Sequence, residues 1–141
     1  MWDKVIIPFV EKYYLEFSRL SLSIVYLWFG ILKLLGNSPA SPLVMALQQK
    51  ALPFLTFQQF IIVFSLYEML IGILFLVPRF TRLVFVLFII HMGMTLLPLI
   101  LVPNYSWQGF LVPTLEGQYM IKNLILISLA CSILVNTKIK K

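Results

Sequence analysis

Glu68 and His91 are the residues of this sequence whose side chains are best suited to acid–base chemistry. Each stands inside a long apolar stretch, where an ionisable group costs free energy unless it is paired or hydrated. The turn of a predicted helical hairpin centres between residues 79 and 80, equally far from both. At about 1.5 Å per residue, both lie about 17 Å from the turn, near the membrane midplane. The pair could form a structural hydrogen bond, or handle protons or bind a ligand.

Polar residues at helical spacing extend this candidate site along three predicted helices. The stripes are Arg19, Ser23, Tyr26, Gly30 and Lys33; Ser65, Glu68 and Gly72; and His91, Thr95 and Pro98. Residues three or four apart share a helix face, and small or polar faces in membranes normally turn toward other helices. Lys33 and Lys122 each have three options: to reach Glu116 at the outer rim, to descend toward Glu68, or to snorkel to the headgroups.

The candidate ligand-binding or proton-handling residues follow from these positions. They are Tyr26, Trp28, Lys33, Glu68, His91, Glu116 and Lys122. Tyr26 and Trp28 could flank an aromatic ring beside the ionisable groups. The sequence has one cysteine and one histidine, which excludes a multi-cysteine metal site and bis-histidine haem ligation within one chain. It also has no recognisable nucleotide-binding or nucleophile–base motif, so we predict no metal and no cofactor motif of its own.

The composition requires that a membrane surround these residues. Of 141 residues, 61% are hydrophobic and 11% charged, whereas soluble domains have about 45–50% and about 25%. A membrane span needs about 20 mainly apolar residues. Four stretches reach or nearly reach that length: residues 17–35, 57–77, 81–102 and 119–135. Lipid offers no partner to an open strand edge, so the spans should be helical. We predict one all-α domain over residues 1–141, a transmembrane four-helix bundle.

The distribution of cations predicts how this bundle is oriented. Lys4, Lys12, Arg19, Arg79, Arg82, Lys138, Lys140 and Lys141 fall on the side of both termini, and Lys33, Lys50 and Lys122 on or toward the other. We therefore expect a multi-pass protein of the cell (inner) membrane with both termini cytoplasmic. In the first outer loop, residues 43–50 could form a short interfacial helix. The net charge of +6 does not indicate nucleic acid, because no basic patch is interleaved with aromatic residues.

A short internal repeat accompanies the spans. The triplet at residues 18–20, followed by Gly30, matches the triplet at residues 81–83, followed by Gly93, at the same spacing. Either chance or duplication of a helical hairpin would explain it.

Several of these segments resemble the DoxX-like family of small membrane proteins. Arg19 with Tyr26-Leu27-Trp28-Phe29-Gly30-Ile31-Leu32-Lys33-Leu34 is similar to their first-span signature, Glu68 with Gly72 to their acidic second span, and Glu116-Gly117-Gln118-Tyr119 with Lys122-Asn123-Leu124 to the start of their last helix. The resemblance extends over residues 15–136 and adds Asn123 to the candidates. It implies a four-helix membrane bundle but little about function: some relatives are associated with quinone-linked sulfur oxidation, terminal oxidase or redox-stress complexes, and many have no known activity.

Two functions remain open at this stage. The first is a membrane subunit of a quinone-linked redox system, in which Lys33 donates to a quinone carbonyl and Glu68 or His91 exchanges protons. Its electrons would come from a redox partner subunit. The second is a non-enzymatic membrane scaffold, or a protein that binds a lipid or small apolar molecule in the same cavity. A transporter is a third option, which would require a homo-oligomer.

Overall fold

The computed structural model describes residues 2–137, and these residues form helices and one short hairpin. A π-helical turn at Trp2–Ile6 precedes α1 (Ile7–Leu34), α2 (Ser41–Ala51), α3 (Phe57–Phe75), a 3-10 turn (Pro78–Phe80), α4 (Thr81–Leu96), α5 (Pro98–Leu101), α6 (Pro103–Ser106), β1 (Trp107–Gly109), β2 (Val112–Pro113) and α7 (Leu115–Asn136). Helices α1, α3, α4 and α7, with their flanking turns, give four segments long and apolar enough to cross a membrane. The prediction of an all-α protein with four membrane-length helices is confirmed.

Polar caps fix where two of the membrane-length helices begin. Thr56 accepts a hydrogen bond from the backbone N–H of Gln59, and the Gln59 side chain accepts one from the backbone N–H of Thr56. This capping box starts α3 at the predicted residue. Thr114 accepts from the backbone N–H of Gly117 and starts α7 four residues before the predicted boundary at residue 119.

Prolines lie near the two helix boundaries that are farthest from the ends of the predicted spans. Helix α1 begins ten residues earlier than predicted, and Pro8 lies in its first turn, where a missing N–H costs no hydrogen bond. Helix α4 ends at Leu96, not at residue 102, because Pro98 lacks an N–H and its ring clashes with the carbonyl of residue 94. The chain then continues as the separate helix α5.

The connections define two ends of the bundle, which we call the loop end and the turn end. The loop end holds the long segments between α1 and α3 and between α4 and α7. The turn end holds the tight α3–α4 turn and the last turn of α7. At the loop end, α2 covers residues 43–50, whose position at the membrane interface stays a prediction. Lys50 Nζ donates to the Leu101 carbonyl at 2.8 Å and joins the two connections. The β1–β2 hairpin there was not predicted.

Glycines let α1 and α3 pack closely in an antiparallel pair. A Cβ at Gly30 would lie 2.8 Å from Met69 Cγ and 3.1 Å from the Ser65 carbonyl oxygen. A Cβ at Gly72 would lie 2.8 Å from Leu27 Cγ. These contacts confirm that the predicted small-residue stripes of α1 and α3 face each other. The core that surrounds them comes from all four long helices: Leu22, Tyr26, Ile71, Phe75, Val84, Phe88, Met92, Ala130 and Ile133.

Candidate functional site

A buried ion pair between α1 and α3 is the centre of the candidate site. Lys33 Nζ lies 2.8 Å from Glu68 Oε1 and 2.7 Å from Glu68 Oε2. Lys33 is 8% exposed and Glu68 4%. The antiparallel packing of α1 against α3 brings the last turn of α1 to the middle of α3. Of the three options predicted for Lys33, the structure has the contact with Glu68.

His91, on α4, forms hydrogen bonds to α3 on one side and to α1 on the other, so that a row of hydrogen bonds begins at Lys33 and ends at Tyr26. Its Nε2 lies 3.1 Å from Glu68 Oε1, and its Nδ1 lies 3.0 Å from the hydroxyl of Tyr26. An ionised carboxylate only accepts hydrogen bonds, so Nε2 must carry a proton toward Glu68. A neutral imidazole then has a lone pair on Nδ1, which accepts from the Tyr26 hydroxyl. We call Lys33, Glu68, His91 and Tyr26 the Glu68 cluster.

An aromatic side chain that sequence reasoning missed covers this cluster. Phe64 stacks on His91 with ring centroids 5.0 Å apart and an interplanar angle of 24°. Its ring centroid also lies 5.6 Å from Lys33 Nζ, within cation–π distance. Phe64 precedes Glu68 by four residues, so the helical periodicity that identified the α3 stripe places it on the same face.

The charges of the Glu68 cluster are balanced within the protein. Lys33 and His91 both donate to Glu68, and among residues 2–137 every buried side-chain nitrogen or oxygen has a hydrogen-bond partner. A buried ion pair is tolerated only with this kind of complete satisfaction, since desolvation of each ion is costly. The arrangement can therefore shift protons along its own hydrogen bonds. Two of the three N–H donors of Lys33 go to Glu68, which leaves one for a further acceptor.

The remaining candidates lie outside the cluster. Trp28 is 64% exposed, because position 28 is about 200° around the helix from position 26. Glu116 is exposed in the first turn of α7. Lys122 is exposed too, with its Nζ 5.3 Å from the ring centroid of Tyr119. Both ion pairs within residues 2–137 join Glu68 to other side chains, and a ligand-binding or proton-handling role for Trp28, Glu116 and Lys122 stays a prediction.

Asn123 makes a separate contact between α7 and α4. Its Nδ2 donates to Thr95 Oγ1 at 3.3 Å. Thr95 belongs to the polar stripe predicted for the third span, and its hydroxyl also donates to the Met92 carbonyl at 3.0 Å. The resemblance that added Asn123 thus identified a residue that joins two helices, away from Glu68.

A second polar cluster at the turn end was not predicted. Arg19 is 5% exposed, and its Nη1 donates to the Phe75 carbonyl at 3.0 Å. Its Nη2 donates to the hydroxyls of Thr81 and Thr137. One guanidinium thereby connects α1 to the end of α3, the start of α4 and the residue that follows α7. The sequence indicated Arg19 as an orientation signal and a stripe residue, but not these partners.

Residues 2–137 contain no group of three or more His, Cys, Asp or Glu side chains that could hold a metal ion. Comparison of the chain with protein-family models, curated proteins and solved structures gives no match.

Proposed function

We propose that this protein is a DoxX-like membrane subunit of a quinone-linked redox system, in which the Glu68 cluster handles protons. The observation that carries the proposal is one continuous row of hydrogen bonds joining Lys33, Glu68 and His91 to the phenol of Tyr26 inside the bundle. Ionisable groups are rare inside membrane proteins and are typical of proton and substrate pathways.

Glu68 is the residue on which proton exchange would act. Protonation of its carboxylate removes the charge that holds Lys33, so the ammonium can donate to an external oxygen. Tyr26 keeps its proton and holds His91 in the tautomer that donates from Nε2 to Glu68, so that the imidazole can follow the change in charge of the carboxylate. A quinone would supply carbonyl oxygens that take up two protons with two electrons. The electrons would come from a partner subunit.

The membrane placement is part of the same proposal. Exposed Arg79 and Arg82 lie at the turn end together with the last turn of α7. We propose that this end faces the cytoplasm of the inner membrane, which follows the positive-inside rule. Helix α2, at the loop end, would then lie along the outer interface.

Purification in a mild detergent tests the proposal directly. Organic extraction and mass spectrometry of the purified protein should identify a quinone that binds in proportion to protein. Infrared difference spectra between oxidised and reduced quinone should contain a carboxyl band that disappears in Glu68→Gln. Glu11→Gln, an exposed carboxylate on α1, is the matched control. Protein without quinone, together with an unchanged respiratory phenotype of Glu68→Gln, would contradict the proposal.

A scaffold or lipid-binding protein is the second candidate, and one observation favours it. The Glu68 cluster satisfies its own hydrogen bonds without a ligand, as a purely structural contact between helices would. Under this alternative, Glu68→Gln and His91→Asn retain function, whereas Gly30→Leu and Gly72→Leu abolish assembly. Under the redox proposal, the first two variants lose function although they remain folded.

A further inference from the structure

The turn end contains a pocket that lies outside the Glu68 cluster. It has a volume of about 370 Å³, at the small end of the about 300–1,000 Å³ typical of ligand sites. Its walls are Leu15, Glu16, Arg19, Pro78, Asn136 and Thr137. They combine a cation, an anion, an amide, a hydroxyl and two apolar side chains. The pocket is therefore suited to a ligand that is partly charged and partly apolar.

Arg19 supplies the positive charge of this pocket without a bonded counter-ion. Its three hydrogen bonds within residues 2–137 all go to neutral oxygens. In that range, both ion pairs within 4.0 Å involve Glu68. A guanidinium has five N–H donors, so three bonds leave two for a further acceptor. The remaining donors are the Nε–H and one Nη1–H, and each can donate a charge-assisted hydrogen bond to a phosphate oxygen.

Glu16 supplies the negative charge and lies one helical turn before Arg19. It is exposed and makes no ion pair within 4.0 Å with a described residue. A pocket with one cation and one anion disfavours a simple anion, because Glu16 would repel it. It favours a zwitterion whose two charges are a few ångströms apart.

The depth of the pocket indicates where such a ligand would come from. Arg19 bonds to Phe75 at the end of α3 and to Thr81 at the start of α4, so it lies at the level where the membrane-length helices turn. Helices that cross the hydrocarbon end near the phospholipid headgroups. A lipid of that leaflet can therefore reach the pocket by diffusion in the membrane.

We propose that this pocket binds the headgroup of phosphatidylethanolamine. The lipid phosphate would accept hydrogen bonds from Arg19, and its primary ammonium would donate to Glu16. Leu15 and Pro78 would contact the apolar part of the lipid next to the phosphate. Phosphatidylcholine fits less well because its quaternary ammonium has no N–H to donate. Phosphatidylglycerol fits less well because it has no cation to place beside Glu16.

Native mass spectrometry of the full chain, released from mixed vesicles, tests this proposal. The vesicles contain equal amounts of phosphatidylethanolamine, phosphatidylcholine and phosphatidylglycerol. We expect bound phosphatidylethanolamine to exceed each of the others about two- to five-fold, as one exposed ion pair would give. Glu16→Gln should remove that preference and Glu11→Gln should keep it. Both residues are exposed on α1, and neither is tied to the fold by a salt bridge within residues 2–137.

Two results would overturn the proposal. One is equal binding of the three lipids, or a preference for phosphatidylglycerol, in the unmodified protein. The other is a preference for phosphatidylethanolamine that Glu16→Gln leaves unchanged. Arg19 is not substituted in this test because it also holds four elements together. The outcome is independent of quinone binding, since the pocket and the Glu68 cluster share no residue.

Discussion

Lys33 and Arg19 are two buried cations on the same helix, and their partners differ in kind. They are fourteen residues apart, about 21 Å along α1, and both face the bundle. Lys33 donates to both oxygens of a carboxylate, whereas Arg19 donates to a carbonyl and two hydroxyls. An ammonium is a compact charge, while a planar guanidinium can distribute its donors over several dipoles. The charge of Lys33 is therefore neutralised by a bonded carboxylate, whereas Arg19 is bonded only to neutral oxygens.

The largest effect should come from removing the counter-ion of Lys33. We expect Glu68→Leu to lower the free energy of unfolding by about 3–5 kcal/mol, because a buried ammonium is left without a partner. Adding Lys33→Met should restore most of the loss, since two apolar side chains replace the pair. Unfolding in mixed micelles by a denaturing detergent measures both variants. If the double variant is no more stable than Glu68→Leu, the cost does not arise from the unpaired charge.

A smaller loss of stability should come from enlarging Gly30, where α1 packs against α3. Gly93, its counterpart in the internal repeat, is the matched control. At Gly30 a larger side chain would meet Met69 and the Ser65 carbonyl, whereas a Cβ at Gly93 meets nothing within 4 Å. Gly30→Leu should therefore cost about 1–3 kcal/mol in the same detergent titration, as overpacking typically does. Gly93→Leu should change stability little. Equal losses at the two sites would mean that the close approach of α1 and α3 is not what Gly30 provides.

Removing Arg19 should cost less than removing Glu68, because the carboxylate left behind, Glu16, is exposed and not buried. Thr81 and Thr137 keep hydrogen bonds to the carbonyls of Pro78 and Ile133 when the guanidinium is absent. Interhelical hydrogen bonds in membranes average about 0.6 kcal/mol, so three of them predict a loss of about 2 kcal/mol for Arg19→Met. Arg82→Met is the control, since Arg82 is exposed at the equivalent position of the repeat. If Arg19→Met lowered the free energy of unfolding more than Glu68→Leu does, this expectation would be wrong.

The sequence predicted the helices and the contact between Glu68 and His91, because both follow from spacing along the chain. Apolar length gives membrane helices, and equal distance from one turn brings Glu68 and His91 to one depth. The same reasoning could have identified Phe64, since it shares a helix face with Glu68. The internal repeat predicted little: Arg19 is buried and Arg82 is exposed, and Gly30 is packed while Gly93 is open.

The contacts that sequence reasoning missed depend on which way separate helices rotate about their axes. Trp28 and Tyr26 are two positions apart, and only the packing of α1 against α3 decides which of them faces His91. Arg19 meets Thr137 across most of the chain, and nothing in local spacing relates the two. The hairpin after α6 depends on loop geometry, including a positive φ of 55° at Leu111, which hydropathy does not reveal.

The smallest predicted effect concerns the end of the row, where Tyr26 meets His91. Tyr26→Phe removes the hydroxyl that donates to Nδ1, and we expect a loss of about 0.6 kcal/mol in the detergent titration. The chain has one histidine, so nitrogen NMR reports its two ring nitrogens without ambiguity. Tyr26→Phe should shift the Nδ1 resonance and Glu68→Gln the Nε2 resonance. A shift of both nitrogens by the same amount in each variant would mean that the imidazole does not have two distinct partners, and the row would end at Glu68.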